Sequence, residues 1–205
     1  MTITGRMLPL VCAVTLLVLG GCASMDKREC QVADWRLIGY QDGAAGKAAG
    51  EIGDYRQDCA EFSVVPDLDA YLSGREEGLQ EFCKPEVGFR LGKSGHSYNS
   101  VCPPATAGAF HAAWVDGRAI YHARSAVKST DAQIRKRKVE VGELQHQKQD
   151  MLADLVTEGL RSEQRILILY DIHSIEQDIS DLEQEIQELE HELEHQQDYL
   201  ATLTR

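Results

Sequence analysis

The sequence predicts an all-α protein: a small disulfide-stapled helical domain followed by a long antiparallel coiled-coil hairpin. Two observations carry this reading. Four cysteines, Cys30, Cys59, Cys83 and Cys102, fall within 73 residues, while the last 103 residues contain none. Within those last residues, Ile172, Ile175, Ile179, Leu182, Ile186, Leu189, Leu193, Gln196, Leu200 and Leu203 recur in alternating steps of three and four, the spacing of a coiled-coil seam.

The amino end has the layout of an export signal. Residues 1–21 carry Arg6, an apolar block and small closing residues. The longest apolar run, Met7 to Leu19, has 13 residues, too few for a bilayer span of about 20. Leu19-Gly20-Gly21-Cys22 resembles a lipobox, which implies cleavage before Cys22 and acylation of that cysteine. Ala23 and Ser24 follow without an aspartate, so the expected destination is the outer membrane, facing the periplasm, with residues 22–29 as tether. Removing residues 1–21 takes away one base and no acid, leaving 20 bases and 33 acids, a net charge of -13. That sign disfavours nucleic acid and close contact with anionic lipid alike.

Once Cys12 leaves with the signal and Cys22 takes the lipid, four cysteines remain for an oxidising compartment, which reads as two disulfides. Three pairings are open. Local closure favours Cys83 with Cys102 and leaves Cys30 with Cys59, each bridge contributing ~3 kcal/mol. There is no CxxC pair, and no metal or other cofactor is expected.

The first domain is placed at 30–105. Trp35, Ile38, Gly39, Gly43, Gly46 and Gly50 share a helical spacing, as do Leu68, Tyr71, Leu72, Leu79 and Phe82 after the N-cap candidate Asp67. Residues 84–104 are rich in Gly, Pro, Ser and Asn and read as a loop. A weak repeat joins Gly39-Tyr-Gln-Asp-Gly43, Gly74-Arg-Glu-Glu-Gly78 and Ala113-Trp-Val-Asp-Gly117, each preceded by an aromatic residue; Gly88 and Gly92 repeat only the spacing. Each interior glycine costs a helix about 1 kcal/mol relative to alanine. Close helix–helix approach compensates for that cost. The competing reading is a polar binding surface using Asp34, Asp42, Arg75 and Asp116.

Cys30-Gln31, Asp34-Trp35, Ile38-Gly39, Asp42-Gly43, Arg56, Cys59, Pro66-Asp67, Tyr71, Gly74-Arg75, Gly78-Leu79, Cys83, Pro85, Gly88, Gly92, Gly95, Tyr98, Val101-Cys102-Pro103 and Gly117 together resemble the proteobacterial lipoproteins catalogued as domain of unknown function 2799. The likeness spans Cys30 to Tyr121. It implies an exported, cysteine-bridged helical lipoprotein and no particular activity.

Catalytic signatures fail one by one. Gly92-Lys93-Ser94 lacks the earlier glycine and the strand of a phosphate-binding loop. There is no GxSxG and no HExxH. His191 and His195 are four apart but make an incomplete metal site. No catalytic residue is assigned, and the chain is expected not to be an enzyme.

The second domain, 106–205, is a hairpin with its turn near 159. The e and g sites of the seam are acidic, among them Asp171, Glu176, Asp178, Glu183, Glu185, Glu190 and Glu192, so two copies of this stretch repel. A looser heptad upstream, Val127, Ile134, Val141, Leu144, Met151 and Leu155, lies among the bases Arg135, Lys136, Arg137 and Lys138. Reversal at Gly159, with Ser162 capping the next helix, sets those bases opposite roughly Asp181 to Glu185. The rival arrangement is one uninterrupted helix paired with a second chain, and association of hairpins into homo-oligomers stays open. The functional expectation is a lipid-anchored structural or interaction protein whose coiled coil meets another envelope protein or the cell wall. The alternative is a small-ligand-binding or hydrolytic protein acting through the glycine-marked domain.

Overall fold

Two pairs of helices pack backbone against backbone at their glycines, and a long hairpin continues from the second pair. The computed structural model describes residues 25–205; the expected export signal, 1–21, and the expected acylation site Cys22 lie outside them. The helices are α1 (Lys27–Val32), α2 (Trp35–Ala44), α3 (Ile52–Ala60), α4 (Leu68–Phe82), α5 (Pro85–Lys93), α6 (Pro104–Leu155) and α7 (Ser162–Leu203). A 3-10 turn at Ala49–Glu51 leads into α3. There is no strand among the described residues, so the chain is all-α with a C-terminal coiled-coil hairpin.

Helices α2 and α4 run parallel. A Cβ on Gly74 would lie 1.9 Å from the Arg36 carbonyl oxygen, and one on Gly78 would lie 2.1 Å from that of Tyr40. Side chains at these positions would hold the helices apart, so the glycine cost is offset by contact along the whole crossing. Helices α5 and α6 repeat the arrangement: Gly92 meets the Trp114 carbonyl and Gly117 that of Phe89. Each pair is closed by its own disulfide, Cys30–Cys59 and Cys83–Cys102, the pairing that local closure favours. Each bridge joins the segment before the first helix of its pair to the segment before the second. One core gathers Trp35, Ile52 and Tyr71 around Cys30–Cys59. The other gathers Leu79, Phe82 and Phe110 around Cys83–Cys102.

The domain is therefore a duplication, and this corrects two expectations. Residues 84–104 are not all loop, because Pro85 opens α5 rather than only closing α4, and Gly88 and Gly92 are its packing face. Glycine count signals a loop only where the glycines do not recur four apart against another backbone. Gly46 and Gly50 do not extend α2: the helix ends at Ala44, and Gly46 has φ 72°, with the Phe82 ring where a side chain would stand. The packing of the glycine domain also runs past residue 105, since Phe110, Trp114 and Gly117 of α6 complete the second pair.

Beyond that pair, α6 and α7 form the antiparallel hairpin. Ile134 and Val141 pack with Ile175, Ile179 and Ile186, while Leu182, Leu189 and Leu193 are half-buried against the same core. The chain reverses through 156–161, where Gly159 has φ 90°, a left-handed conformation that favours glycine. Ser162 is the first helical residue rather than the cap; the Gln164 carboxamide accepts from the Arg161 amide at 3.1 Å. The register differs from a simple fold at Gly159. Arg137 pairs with Glu185 at 3.0 Å, Lys138 with Glu190 at 2.7 Å and Lys148 with Glu176 at 3.6 Å. Arg137 and Lys138 thus meet Glu185 and Glu190, farther along α7 than Asp181 to Glu185, because α7 starts beyond the end of α6, while Arg135 and Lys136 pair with Asp131 and Glu140 on their own helix.

Candidate functional site

The most heavily partnered polar group lies where α2, α3 and α4 meet. Asp42 follows the α2 packing face directly, next to Gly43, and its residue is only 5% exposed. Its carboxylate accepts from the Tyr71 hydroxyl at 2.9 Å and the Tyr55 hydroxyl at 3.0 Å, and is 3.0 Å from Lys47 Nζ. Lys47 also reaches Glu51 at 3.0 Å and the Tyr55 oxygen at 3.3 Å. A buried carboxylate needs such partners, since desolvation without them costs several kcal/mol.

The network shifts its members in one direction. Burial raises the Tyr71 hydroxyl well above the ordinary tyrosine pKa, and the hydrogen bond to Asp42 adds to it. Burial raises Tyr55 as well, with Asp42 working the same way and Lys47 against it. For Lys47 burial works downward, but the bonds to Glu51, Asp42 and Tyr55 outweigh it and hold the ammonium above its usual range. All three groups keep their protons at neutral pH, so none is poised as a general base. Beside them runs an open groove of about 1170 Å³ between α1, α2 and α3, bordered by Met25, Val32, Ile38, Lys47, Glu51 and Tyr55.

The four residues set down as a polar surface do not converge. Asp34 is the N-cap of α2, accepting from the Leu37 amide at 3.0 Å. Arg75 donates to the Lys47 carbonyl oxygen through Nε at 3.1 Å and Nη2 at 2.6 Å. Asp116 is exposed on α6, in the other helix pair. Only Asp42 and Arg75 share a neighbour, Lys47, which one meets at its ammonium and the other at its backbone.

The second helix pair reproduces the scaffold without the buried carboxylate. Trp114 Nε1 donates to the His96 carbonyl at 3.0 Å, occupying the place that Arg75 holds against Lys47. Leu91 and Phe110 stand where Asp42 and Tyr71 stand in the first pair, both in the second apolar core. Tyr55, Tyr71 and Lys47 escaped the sequence reading as partners of Asp42. The available signal was the match of Gly39, Gly43 and Gly46 to Gly88, Gly92 and Gly95, which aligns Asp42 with Leu91 and marks it as the polar exception.

The hairpin carries the other concentration of charge. Arg137 donates to Glu140 at 2.8 Å as well as pairing with Glu185, and the Arg137 bond holds the Glu140 carboxyl below its ordinary value. His191 and His195 meet edge to face with ring centroids 4.5 Å apart and stay exposed. Among the described residues no three His, Cys, Asp or Glu side chains are grouped to hold a metal ion, and no helix is long and apolar enough to cross a membrane.

These features define a class: a duplicated, disulfide-closed glycine-helix domain mounted on a coiled-coil rod. Residues 34–119 match the family described as Protein of unknown function (DUF2799). The match runs from the α2 cap through the part of α6 that packs on α5, so it covers both helix pairs and stops before the hairpin. Comparison with curated proteins and with solved structures finds no match.

Proposed function

We propose that this chain is an outer-membrane lipoprotein, acylated at Cys22 and facing the periplasm, with a non-enzymatic interaction role carried by its rod. The observation that supports the role most directly is the hairpin seam, formed by the two limbs of one chain. Ile134, Val141, Ile175, Ile179 and Ile186 bury one another, so the remaining helix faces stay available to a different molecule, an envelope protein or the cell wall. Met25 packs beside the Cys30–Cys59 core, while the rod leaves from the second helix pair.

In-cell crosslinking tests the role. Removal of Ala126 to Arg205 is expected to abolish recovery of the partner while the glycine domain persists; unchanged crosslinks would sink the reading. Replacing Cys22 by alanine is expected to release the chain from membranes. The groove beside Asp42 supports a second reading, binding of a small ligand by the first helix pair. Its test is a ligand screen by thermal shift, with Asp42→Asn as the control expected to lose any hit.

A further inference from the structure

The first turns of α7 expose an apolar patch that the hairpin leaves uncovered. Ile166, Leu167, Leu169 and Tyr170 are 65%, 64%, 52% and 71% exposed. With Ile172 in the seam, these residues take outward and flanking heptad positions, and only Ile168 faces inward, half-buried. A helical stretch apolar on every side is ordinarily covered on every side. The register explains why this one is not. Extending the offset set by Lys148–Glu176 brings the end of α6 level with about Leu169 at 1.5 Å per residue, so the start of α7 overhangs its partner by roughly two turns. Only the connecting loop accompanies it, tied by Arg165 to the Leu155 and Thr157 carbonyls.

The geometry points to a second copy of this chain as the occupant, with the two overhangs lying antiparallel and the rods meeting tip to tip. The argument is self-complementarity along the outer stripe Glu163, Ile166, Leu167, Tyr170 and His173, all exposed: apolar side chains meet at its centre, and at each end a carboxylate meets an imidazole N–H. In a two-fold arrangement centred near Ile168, Ile166 faces Tyr170 of the second copy and Glu163 faces His173. Each contact occurs twice, as an isologous interface requires. A parallel arrangement sets Glu163 against Glu163 and continues into the acidic run from Glu176 through Glu192, which repels along its length. The overlap is therefore confined to the overhang, where the apolar residues are. Chains tethered to one surface can meet in this way when their rods run parallel to it, clear of the lipid. The inference concerns the same rod as the proposed interaction role but does not depend on it, since it holds for the chain with or without a lipid or another partner.

The test is photocrosslinking in cells that produce the full chain with benzoylphenylalanine at position 167 together with an epitope-tagged wild-type copy. The expected product has twice the mass, carries the tag, and links position 167 to the tagged copy within residues 166–173. It is expected to disappear when Tyr170→Glu is placed in both chains, with helicity and melting temperature of that variant unchanged because Tyr170 is exposed. A link to the 104–155 limb of the second copy, an adduct to an acyl chain, an adduct to a different protein, or no adduct would each overturn the proposal. Loss of partner crosslinks on removing the rod bears on the interaction role and leaves this outcome to be read separately.

Discussion

Gly43 presses on Arg75 so closely that a Cβ added to the glycine would sit 2.2 Å from the arginine's carbonyl oxygen. The neighbour is backbone in a helix that Tyr71 and Phe82 hold in the core, and it has nowhere to retreat. Gly43→Ala is expected to lower stability by about 1–3 kcal/mol through forced separation of α2 and α4. Gly142→Ala, in a stretch of α6 with open space around it, is expected to raise stability by about 0.5–1 kcal/mol. Urea midpoints of the two variants check the contrast, and equal effects would refute it.

Alkaline conditions are expected to loosen the first helix pair. Tyr71, Tyr55 and Lys47 all have pKa values raised by folding. A raised value stabilises below the unfolded pKa, and that stabilisation is lost as pH climbs through the folded one. Stability measured by denaturant titration is expected to fall above about pH 10, the ordinary tyrosine range. Tyr71→Phe is expected to flatten the fall, and an unchanged slope would remove Tyr71 from the account.

Replacing Asp42 with the residue found in the second half tests whether the network is specific to its partners. Asp42→Leu alone leaves the buried Tyr71 hydroxyl without its acceptor, at a cost of about 1–3 kcal/mol. Adding Tyr71→Phe is expected to recover part of that loss, giving a non-additive cycle. Additive losses would show that the two side chains act separately.

Loss of the second bridge is expected to cost ~3 kcal/mol. Cys83→Ser with Cys102→Ser is expected to lower the melting of the Phe82–Phe110 core and spare the Ile134–Ile186 seam, which shares no residue with it. Amide exchange resolved by segment distinguishes the two.

Across the hairpin, Lys138→Glu is expected to weaken stability by no more than about 1 kcal/mol, because the Lys138–Glu190 pair is exposed. Adding Glu190→Lys is expected to restore it, and about 1 M salt to erase the difference. A swap that fails to restore stability would question the register.

Much of this architecture was legible in the sequence because it rests on periodicity. The Ile172 to Leu203 spacing needs only counting, and Gly159 marks the reversal. The cysteines pair in chain order, first with second and third with fourth, as local closure favours. The register was not legible, since a seven-residue repeat fits its partner equally well after sliding by one heptad, and only ion pairs such as Lys138–Glu190 choose among these settings. Helix α5 was hidden because Gly88 and Gly92 resemble loop residues until Phe110 and Trp114 are known to lie against them. Asp42 stands out in the sequence and its partners do not: Tyr55 and Tyr71 come from separate helices, and no spacing in the chain announces that α3 and α4 bring them to one carboxylate.

Helix α6 runs without a break from Phe110, fully enclosed beside Cys83–Cys102, to Leu155 at the hairpin end, a span of 52 residues including its first turns. No hinge interrupts it, and at 1.5 Å per residue it measures about 78 Å. A sideways push at the far end therefore arrives as torque on the Phe110 socket. The Cys83–Cys102 bridge closes that socket, so a load on the rod would reach the glycine-marked domain instead of being absorbed at a joint.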